Sequence, residues 1–145
     1  MQIAVNIVKT HPDAVVPFYG TLGAACFDLY STESATVLPQ CGSKFIGTGL
    51  TFEIPSGYVM LVFSRSGHGF KNDIRLCNSV GVIDSDYRGE VMVKLHNDGQ
   101  SEYQVAKGER IAQAMIIPHP PVTFSVVENL SETIRGEGGF GSTGK

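Results

Sequence analysis

Short segments that alternate apolar and polar residues fill much of this 145-residue chain, and glycine or proline separates them. Residues 49–55 alternate in this way and end at a proline, which is typical of a strand with one buried face. Residues 55–57 (Pro-Ser-Gly) are a turn sequence, because proline fixes one φ and glycine permits the next to be positive. Further strands are predicted at residues 58–63 and 91–96. The pattern therefore predicts an all-β fold.

Residues 110–117 differ because they are apolar on both alternating faces. Ile111 and Met115 would lie on one face of a strand, and Ala112 and Ala114 on the other. The segment is too short for a good surface helix, and prolines follow it at once. A strand covered on both faces explains the pattern better. A subunit interface could supply the second cover.

Length and composition narrow the range of functions. A chain of 145 residues fits a single domain. Its net charge of −3 gives no basic face for nucleic acid. The three cysteines include no Cys-x-x-Cys pair, which argues against a disulfide framework or a zinc site and favours the reducing cytoplasm. No signal-peptide pattern and no apolar run of roughly 20 residues is present, so we expect a cytoplasmic protein without a membrane partner.

Residues 81–90 (GVIDSDYRGE) carry the strongest chemical pattern, with two acids and a tyrosine between apolar arms. One interpretation is a hairpin with acidic turn residues, since aspartate near glycine is common in turns. The functional interpretation gives Asp84 a water molecule to activate and gives Tyr87 a sugar ring to contact.

Two other segments offer groups that suit phosphate. In residues 64–69, Arg65 can fork onto phosphate oxygens, Ser66 adds a hydroxyl, and Gly67 lets backbone N–H groups approach. A short helix that began there would add a favourable dipole. In residues 108–113, Gln113 could donate to a phosphate, although taken alone it is more typical of a surface or interface amide.

The last eleven residues, 135–145, include five glycines and only one large apolar side chain, Phe140. Such a segment cannot bury enough surface to offset the entropy of ordering, which is typical of a solvated tail. A solvated tail has no need for a lone phenylalanine, however. The arginine, phenylalanine, serine and threonine of this segment could instead close over a bound phosphate and base.

Taken together and in this order, five segments resemble the five motifs of the trimeric dUTPase family, in the form of its bacterial branch. They are residues 24–31, 65–67, 81–89, 108–113 and 135–144. The third and fifth motifs are highly specific for the family, whereas the second and fourth support the resemblance only together with the others.

The chain departs from the family pattern at three positions. Cys26 stands where glycine is usual, Phe27 where tyrosine is usual, and Ser64 where proline is usual. None of these is a catalytic position. The side chain at position 26 raises the question of whether the backbone path there is the same.

The resemblance implies a jelly-roll-like β-barrel or sandwich, formed by a single domain over residues 1–134. It also implies a homotrimer with three sites, each built from all three chains. Residues 135–145 would be a flexible arm that closes over a site.

The implied reaction is the hydrolysis of dUTP to dUMP and pyrophosphate, which keeps uracil out of DNA and supplies dUMP for thymidylate synthesis. Asp84 would orient the water that attacks the α-phosphorus. Mg²⁺ would be held mainly by phosphate oxygens and waters, and Asp28 would steady it through water. The substrate-binding residues implied by the resemblance are Arg65, Ser66, Gly67, Asn78, Val82, Ile83, Tyr87, Met92, Gln113, Arg135, Phe140, Ser142 and Thr143.

Two alternatives remain open at this point. The related dCTP deaminases share the fold and the triphosphate pocket, and they need an acid at the base, for which Glu90 is the nearest candidate. A trimeric module that binds dUTP or a protein partner without hydrolysis is the second alternative.

Overall fold

The computed structural model describes residues 3–142 and Gly144. This part of the chain contains eleven strands and one short helix, and every strand pairing is antiparallel. The predicted all-β fold is therefore confirmed. The elements are β1 (Asn6–Lys9), β2 (Phe27–Tyr30), β3 (Ala35–Val37), β4 (Gly42–Gly47), β5 (Leu50–Glu53), β6 (Tyr58–Phe63), α1 (Ser66–Asn72), β7 (Ile74–Leu76), β8 (Val80–Ile83), β9 (Met92–Asn97), β10 (Tyr103–Val105) and β11 (Arg110–Pro118).

The strands form two larger sheets and two strand pairs. One sheet has the order β2-β11-β6-β8 and the other has the order β4-β9-β7, while β1 pairs with β5 and β3 pairs with β10. Side chains from both larger sheets enter one core, among them Met60 and Ala112 from the first and Ile46 and Leu95 from the second. Alternation along each strand places these residues inward, since successive side chains point to opposite faces.

The four predicted strands are confirmed as β5, β6, β9 and β11, with bounds that differ by at most two residues. Strand β11 lies between β2 and β6, and a bulge falls between Arg110 and Ala112. The bulge lets both Ile111 and Ala112 be fully buried. Farther along, Met115 and Ile117 are only half-buried. One face of this strand is thus incompletely covered within a single chain.

The hairpin predicted for residues 81–90 is wrong. Strand β8 pairs with β6, whereas β9 pairs with β4 and β7. The two apolar arms therefore belong to different sheets, and the acidic loop between them crosses from one sheet to the other. The sequence pattern indicates two strands and a turn, but it does not indicate which strands pair with each other. The pairing depends on all the strands of the fold.

The helix α1 was anticipated only as a possibility, because its sequence is poor in helix formers and contains Gly67 and Gly69. Tertiary contacts with β7 and the burial of His68 hold it in place. It ends at Asp73, which adopts a left-handed conformation with φ 55° and donates its N–H to the His68 carbonyl.

Asn97 is the best-connected buried polar side chain at the end of β9. Its Nδ2 donates to the Val37 and Ser101 carbonyls at 3.0 and 2.9 Å, and its Oδ1 accepts from the Gly99 N–H at 2.9 Å. The residue is fully buried, so water cannot replace these partners.

Replacing Asn97 with leucine should therefore lower the free energy of unfolding by about 2–5 kcal/mol, because three buried backbone groups lose their partner. Urea titration of the variant measures this loss, and the exposed neighbour Gln100→Leu is the matched control. A change within about 0.5 kcal/mol, the usual range for a surface substitution, would show that these bonds contribute little.

The chain beyond β11 does not pack on the core. All residues from 119 to 137 are exposed, including Val122, Phe124, Leu130 and Ile134. Among the described residues, no helix has the length and hydropathy needed to cross a membrane.

Candidate active site

An apolar cleft of about 290 Å³ opens between the ends of the two larger sheets. Gly81 lies in its wall and pairs with Val62, and a Cβ at position 81 would lie 3.1 Å from the Val62 Cβ. A larger residue would push into this contact, so glycine lets β8 approach β6 closely here. The lining consists of Phe45, Val62, Leu76, Cys77, Asn78, Gly81, Val82, Ile83, Met92, Val93 and Lys94.

The cleft brings together four of the residues that the sequence assigned to substrate. Asn78, Val82, Ile83 and Met92 all line it, although β8 and β9 lie in different sheets. The side chains of Val82 and Met92 are 61% and 53% exposed, which leaves apolar surface open to a ligand. The size and apolar lining suit a flat aromatic ring.

Sequence reasoning assigned none of the other seven lining residues to the site, among them Phe45, Cys77 and Lys94. Phe45 and Lys94 are cross-strand partners on β4 and β9, and the Lys94 Nζ lies 4.9 Å from the centre of the Phe45 ring. The Cys77 thiol also contributes to the wall. Only the pairing of β4 with β9 gives any signal for Phe45, and that pairing is not visible in the sequence.

A second group of functional residues centres on Asp28. Its Oδ1 lies 3.2 Å from the Arg65 Nε, and its Oδ2 lies 3.2 Å from an Arg110 guanidinium nitrogen. Asp28, Gln113 and Phe63 are neighbours across β2, β11 and β6, and Arg65 follows two residues after Phe63. The sheet register therefore brings three separate sequence motifs to one place.

Arg65 is held by several contacts at the start of α1. In addition to the ion pair with Asp28, its NH1 donates to the Arg110 carbonyl at 3.0 Å. Ser66 and Gly67 form the first turn of the helix, and no atom lies within 4 Å of the position that a Gly67 Cβ would occupy. The backbone of this turn is thus open to an anion.

Gln113 lies beside this turn and already uses one N–H. Its Nε2 donates to the Ser64 carbonyl at 2.9 Å, while the Ser64 Oγ accepts from the Leu76 N–H at 2.9 Å. A side-chain amide has two N–H donors. One donor of Gln113 therefore fixes the loop, and the second is the one that could reach a ligand.

Behind Arg65 lies a polar network that the sequence did not predict. The His68 Nε2 lies 3.3 Å from both the Glu109 carboxylate and the Arg65 guanidinium, and the Tyr103 hydroxyl donates to Glu109. The His68 side chain is 7% exposed and its Nδ1 has no partner among the described residues. Burial, reinforced by the positive charge of Arg65, lowers the pKa of His68, whereas Glu109 opposes that shift.

We expect this histidine to make stability fall as the solution is acidified. Below the unfolded pKa of 6.5, the unfolded chain binds a proton at this histidine and the folded chain does not bind it as readily. The temperature midpoint of unfolding should therefore decrease as the pH is lowered from about 7.5 to about 5. The fall should be smaller in His68→Leu than in the parent protein. His119→Leu, which changes an exposed histidine, should keep the full fall, and an equal fall in all three proteins would contradict the assignment.

Asp84 follows directly after β8, next in sequence to the lining residue Ile83, and is exposed. Its carbonyl accepts from the Tyr87 N–H at 3.2 Å, which closes a turn. The Tyr87 ring packs against Gly89, and its hydroxyl donates to the Glu90 carbonyl at 3.1 Å. A Cβ at position 89 would lie 2.3 Å from the Tyr87 hydroxyl oxygen, so a larger residue would displace the ring from this position.

The C-terminal residues assigned to substrate make only local contacts. The Arg135 Nε donates to the Gly138 carbonyl at 2.8 Å, the Ser142 N–H donates to the Gly139 carbonyl at 3.0 Å, and Phe140 is fully exposed with φ 48°. Thr143 lies outside the described residues. As far as the structure describes the arm, Arg135, Phe140 and Ser142 neither line the cleft nor bond to the Asp28 group.

No hydrogen bond or ion pair in residues 3–142 joins the cleft residues to Asp28, Arg65 or Gln113. The apolar cleft, the exposed carboxylate that follows it in sequence and the separate arginine group are features that would suit a small anionic nucleotide. The model of the dUTPase family matches residues 13–144. The chain belongs to the dUTPase family.

Curated relatives and solved structures agree with this assignment. The chain is 49% identical over 140 residues to the deoxyuridine 5'-triphosphate nucleotidohydrolase of Nautilia profundicola, covering 97% of this chain and 98% of that protein. It is 42% identical over 144 residues to the enzyme of the same description from Wolinella succinogenes, covering 99% and 96%. The structure of Staphylococcus bacteriophage 80alpha dUTPase with dUPNHPP is similar with a TM-score of 0.92 and 28% identity, covering 99% of this chain and all of that one.

Proposed function

We propose that this chain hydrolyses dUTP to dUMP and pyrophosphate, with uracil in the cleft and Asp84 orienting the attacking water. The observation that carries this proposal is the cleft itself, whose lining residues Asn78, Val82 and Ile83 lead directly into Asp84. A base bound there would place its sugar and phosphates beside an exposed carboxylate. A carboxylate can accept the proton of a water that attacks phosphorus.

Recognition of the base is expected to rely on the backbone of β8. This strand lies at the edge of its sheet, so the N–H and C=O groups on its outer side have no strand partner among the described residues. They can pair with the edge of uracil, whereas cytosine presents the opposite pattern at C4 and N3. A site built on such bonds can discriminate by roughly 10⁴–10⁵.

Discrimination against ribose and thymine would use side chains around the cleft. The Tyr87 ring is fixed on Gly89 and is 46% exposed, so it offers a flat surface to a deoxyribose and no space for a 2′-hydroxyl. Met92 and Ile83 narrow the cleft where the methyl group of thymine would lie.

The triphosphate is proposed to lie on Arg65, Ser66, Gly67 and Gln113. Arg65 brings a guanidinium already oriented by Asp28, and planar guanidinium groups bind phosphate oxygens in a fork. The space beside Gly67 is open, which would let a phosphate approach the first helical turn. Closure of the arm would add Arg135, Ser142 and Thr143 on the β- and γ-phosphates, with Phe140 stacked on the base.

The residues around Asp28 fit a magnesium ion that is carried by the substrate. Mg²⁺ in nucleotide sites takes one or two carboxylates, several waters and phosphate oxygens, and it avoids all-protein cages. Asp28 is a single carboxylate already paired with two arginines, which suits a contact through water better than a direct bond. When bound, the ion would neutralise phosphate charge and favour departure of pyrophosphate.

A homotrimer would complete the site. Among the residues that the structure describes, the cleft, the Asp28 group and the arm do not meet, and β11 has a half-covered face. The segment after β11 exposes Val122, Phe124 and Ile134, which a neighbouring chain could bury. The domain over residues 1–134 would form the body of each subunit, and residues 135–145 would reach a site between subunits. A cytoplasmic location agrees with the free thiols of all three cysteines.

The deaminase alternative needs an acid at the base, and Glu90 does not suit that role. Its Oε1 accepts from the Gly49 N–H at 2.8 Å and packs where a Gly47 Cβ would lie 2.6 Å away. The carboxylate thus stabilises the turn between β4 and β5. This engagement favours hydrolysis over deamination.

Release of pyrophosphate from dUTP, dCTP, dTTP and UTP, each with magnesium and with EDTA, tests the proposal. Rapid release from dUTP alone, only with magnesium, is the expected result. Release of ammonia from dCTP would show instead that the protein is a deaminase. Saturable binding of dUTP without release of pyrophosphate would show instead that the protein is a binding module.

A further inference from the structure

Cys41, His96 and Asp98 lie together at the far end of the β4-β9-β7 sheet, and we refer to them as the Cys41 cluster. The thiol, one imidazole nitrogen and one carboxylate oxygen all lie within 4.8 Å of one another. His96 and Asp98 flank Asn97 at the end of β9, and Cys41 immediately precedes β4. None of the three belongs to the cleft or to the Asp28 group.

Backbone bonds fix the positions of these residues. The Cys41 N–H donates to the Asn97 carbonyl at 3.0 Å, and the Gln40 N–H donates to the Gly99 carbonyl at 3.1 Å. Asn97 is itself anchored by three side-chain hydrogen bonds in the core. The cluster is therefore preorganised rather than assembled from mobile loops.

The turn that presents the thiol is strained. Gln40 and Cys41 have φ values of 55° and 70°, in the left-handed region that favours glycine, and neither residue is asparagine or glycine. Such residues cost of order 1–3 kcal/mol each, and they persist at sites where geometry serves a function. The strain here aims the Cys41 side chain toward His96 and Asp98.

The separations match a tetrahedral ion. The His96 Nε2 lies 3.0 Å from the Asp98 Oδ1. Two ligands on zinc, at bond lengths of about 2.1 Å, are roughly 3.4 Å apart, so this pair needs to open by only a few tenths of an ångström. The Cys41 sulfur lies within 4.8 Å of both atoms, so it must also move closer for the three groups to bind one ion.

The charge and hydrogen bonding around the cluster also suit a metal. The Arg75 guanidinium holds both oxygens of Asp98: its Nε donates to Oδ2 at 2.6 Å and its Nη2 donates to Oδ1 at 3.3 Å, while Oδ1 also lies 3.0 Å from the His96 Nε2. Ligating carboxylates are commonly held by such outer hydrogen bonds. The thiolate and the carboxylate bring two negative charges, which exceed the single positive charge of Arg75 and leave the cluster attractive to a cation.

We propose that Cys41, His96 and Asp98 form a site for a divalent metal ion of the zinc class, with water in the fourth position. The mixed sulfur, nitrogen and oxygen donors favour zinc over magnesium, which takes oxygen ligands. The ion is distinct from the magnesium of the triphosphate. The binding step replaces the thiol proton with the metal, and that proton passes to solvent.

Cobalt titration of the chelator-treated protein tests the proposal, because a thiolate bound to Co²⁺ gives a charge-transfer absorption that magnesium cannot produce. One equivalent of Co²⁺ should produce the full charge-transfer band, and added zinc should remove the band by displacing cobalt. Zinc should also raise the melting temperature of the protein. Cys41→Ser should abolish the band, and His96→Gln should weaken binding at least tenfold.

Cys26→Ser is the matched control, because burial and the nearby Asp28 raise the pKa of the Cys26 thiol and make it a poor ligand. This variant should keep the band. Absence of the band in the parent protein would overturn the proposal, and so would a band that survives in Cys41→Ser. Because Cys41 is exposed, the serine variant should fold, and its melting temperature without metal checks this.

Discussion

Replacing Asp84 with asparagine is expected to reduce the turnover of dUTP by roughly 10²–10⁴, the usual range for the loss of a general base. The amide keeps the size of the carboxylate but cannot accept the proton of the attacking water. Because Asp84 is exposed at the end of β8, the variant should fold and assemble as the parent does. Steady-state pyrophosphate release, with dUTP affinity measured separately, separates lost chemistry from lost binding.

The same loop supplies a matched control. Asp86 is two residues away, equally acidic and also exposed, so Asp86→Asn removes the same charge from the same loop. Its turnover should stay within about threefold of the parent, a free-energy difference of less than 1 kcal/mol. Near-normal turnover of Asp84→Asn, or equal losses in both variants, would remove Asp84 from the role of base.

Deleting residues 135–145 should nearly abolish hydrolysis while leaving the subunit folded and its assembly unchanged. The described residues of this segment, 135–142 and 144, make only local turns and Phe140 is fully exposed, so no core contact of theirs is lost. The catalytic loss would come from the missing closure over the β- and γ-phosphates and from readmission of water to the site. Analytical ultracentrifugation and pyrophosphate release on the same sample measure both expectations.

Point variants of the arm refine that result. Phe140→Ala should raise KM more than Glu137→Ala, because the phenylalanine is proposed to stack on the base and the glutamate is not. A truncated protein that is inactive and monomeric would show instead that the arm is structural. An active truncated protein would show that the arm takes no part in the reaction.

Much of the fold could be predicted because strand signals are local. Strand β6 was predicted with its observed bounds, since alternating apolar residues between Pro55-Ser56-Gly57 and a polar loop leave little choice. Strand β11 was also predicted correctly against a helix, because apolar residues on both alternating faces fit the centre of a sheet. The helix α1 had no such signal, since two glycines weaken it and only packing against β7 forms it.

The candidate site was likewise predicted only in part from the sequence. Asn78, Val82, Ile83 and Met92 were assigned to substrate through the family resemblance, and they do line one cleft. Phe45 and Lys94 complete that cleft without any sequence signal, because they meet only through the pairing of β4 with β9.

By itself, the sequence determined the chemistry available to this protein. Local alternation specified the strands, and the five motifs supplied an acid, arginines, glycines and a terminal arm in a recognisable order. Only the tertiary structure decided which of these groups meet. In the structure, β8 and β9 belong to different sheets, and Glu90 stabilises a turn. His68 lies beside Arg65. Cys41 lies close to His96 and Asp98, which are 55 and 57 residues away in the chain. The physical reason is that strand pairing and burial are settled by contacts distant in sequence, and a local pattern carries no record of them.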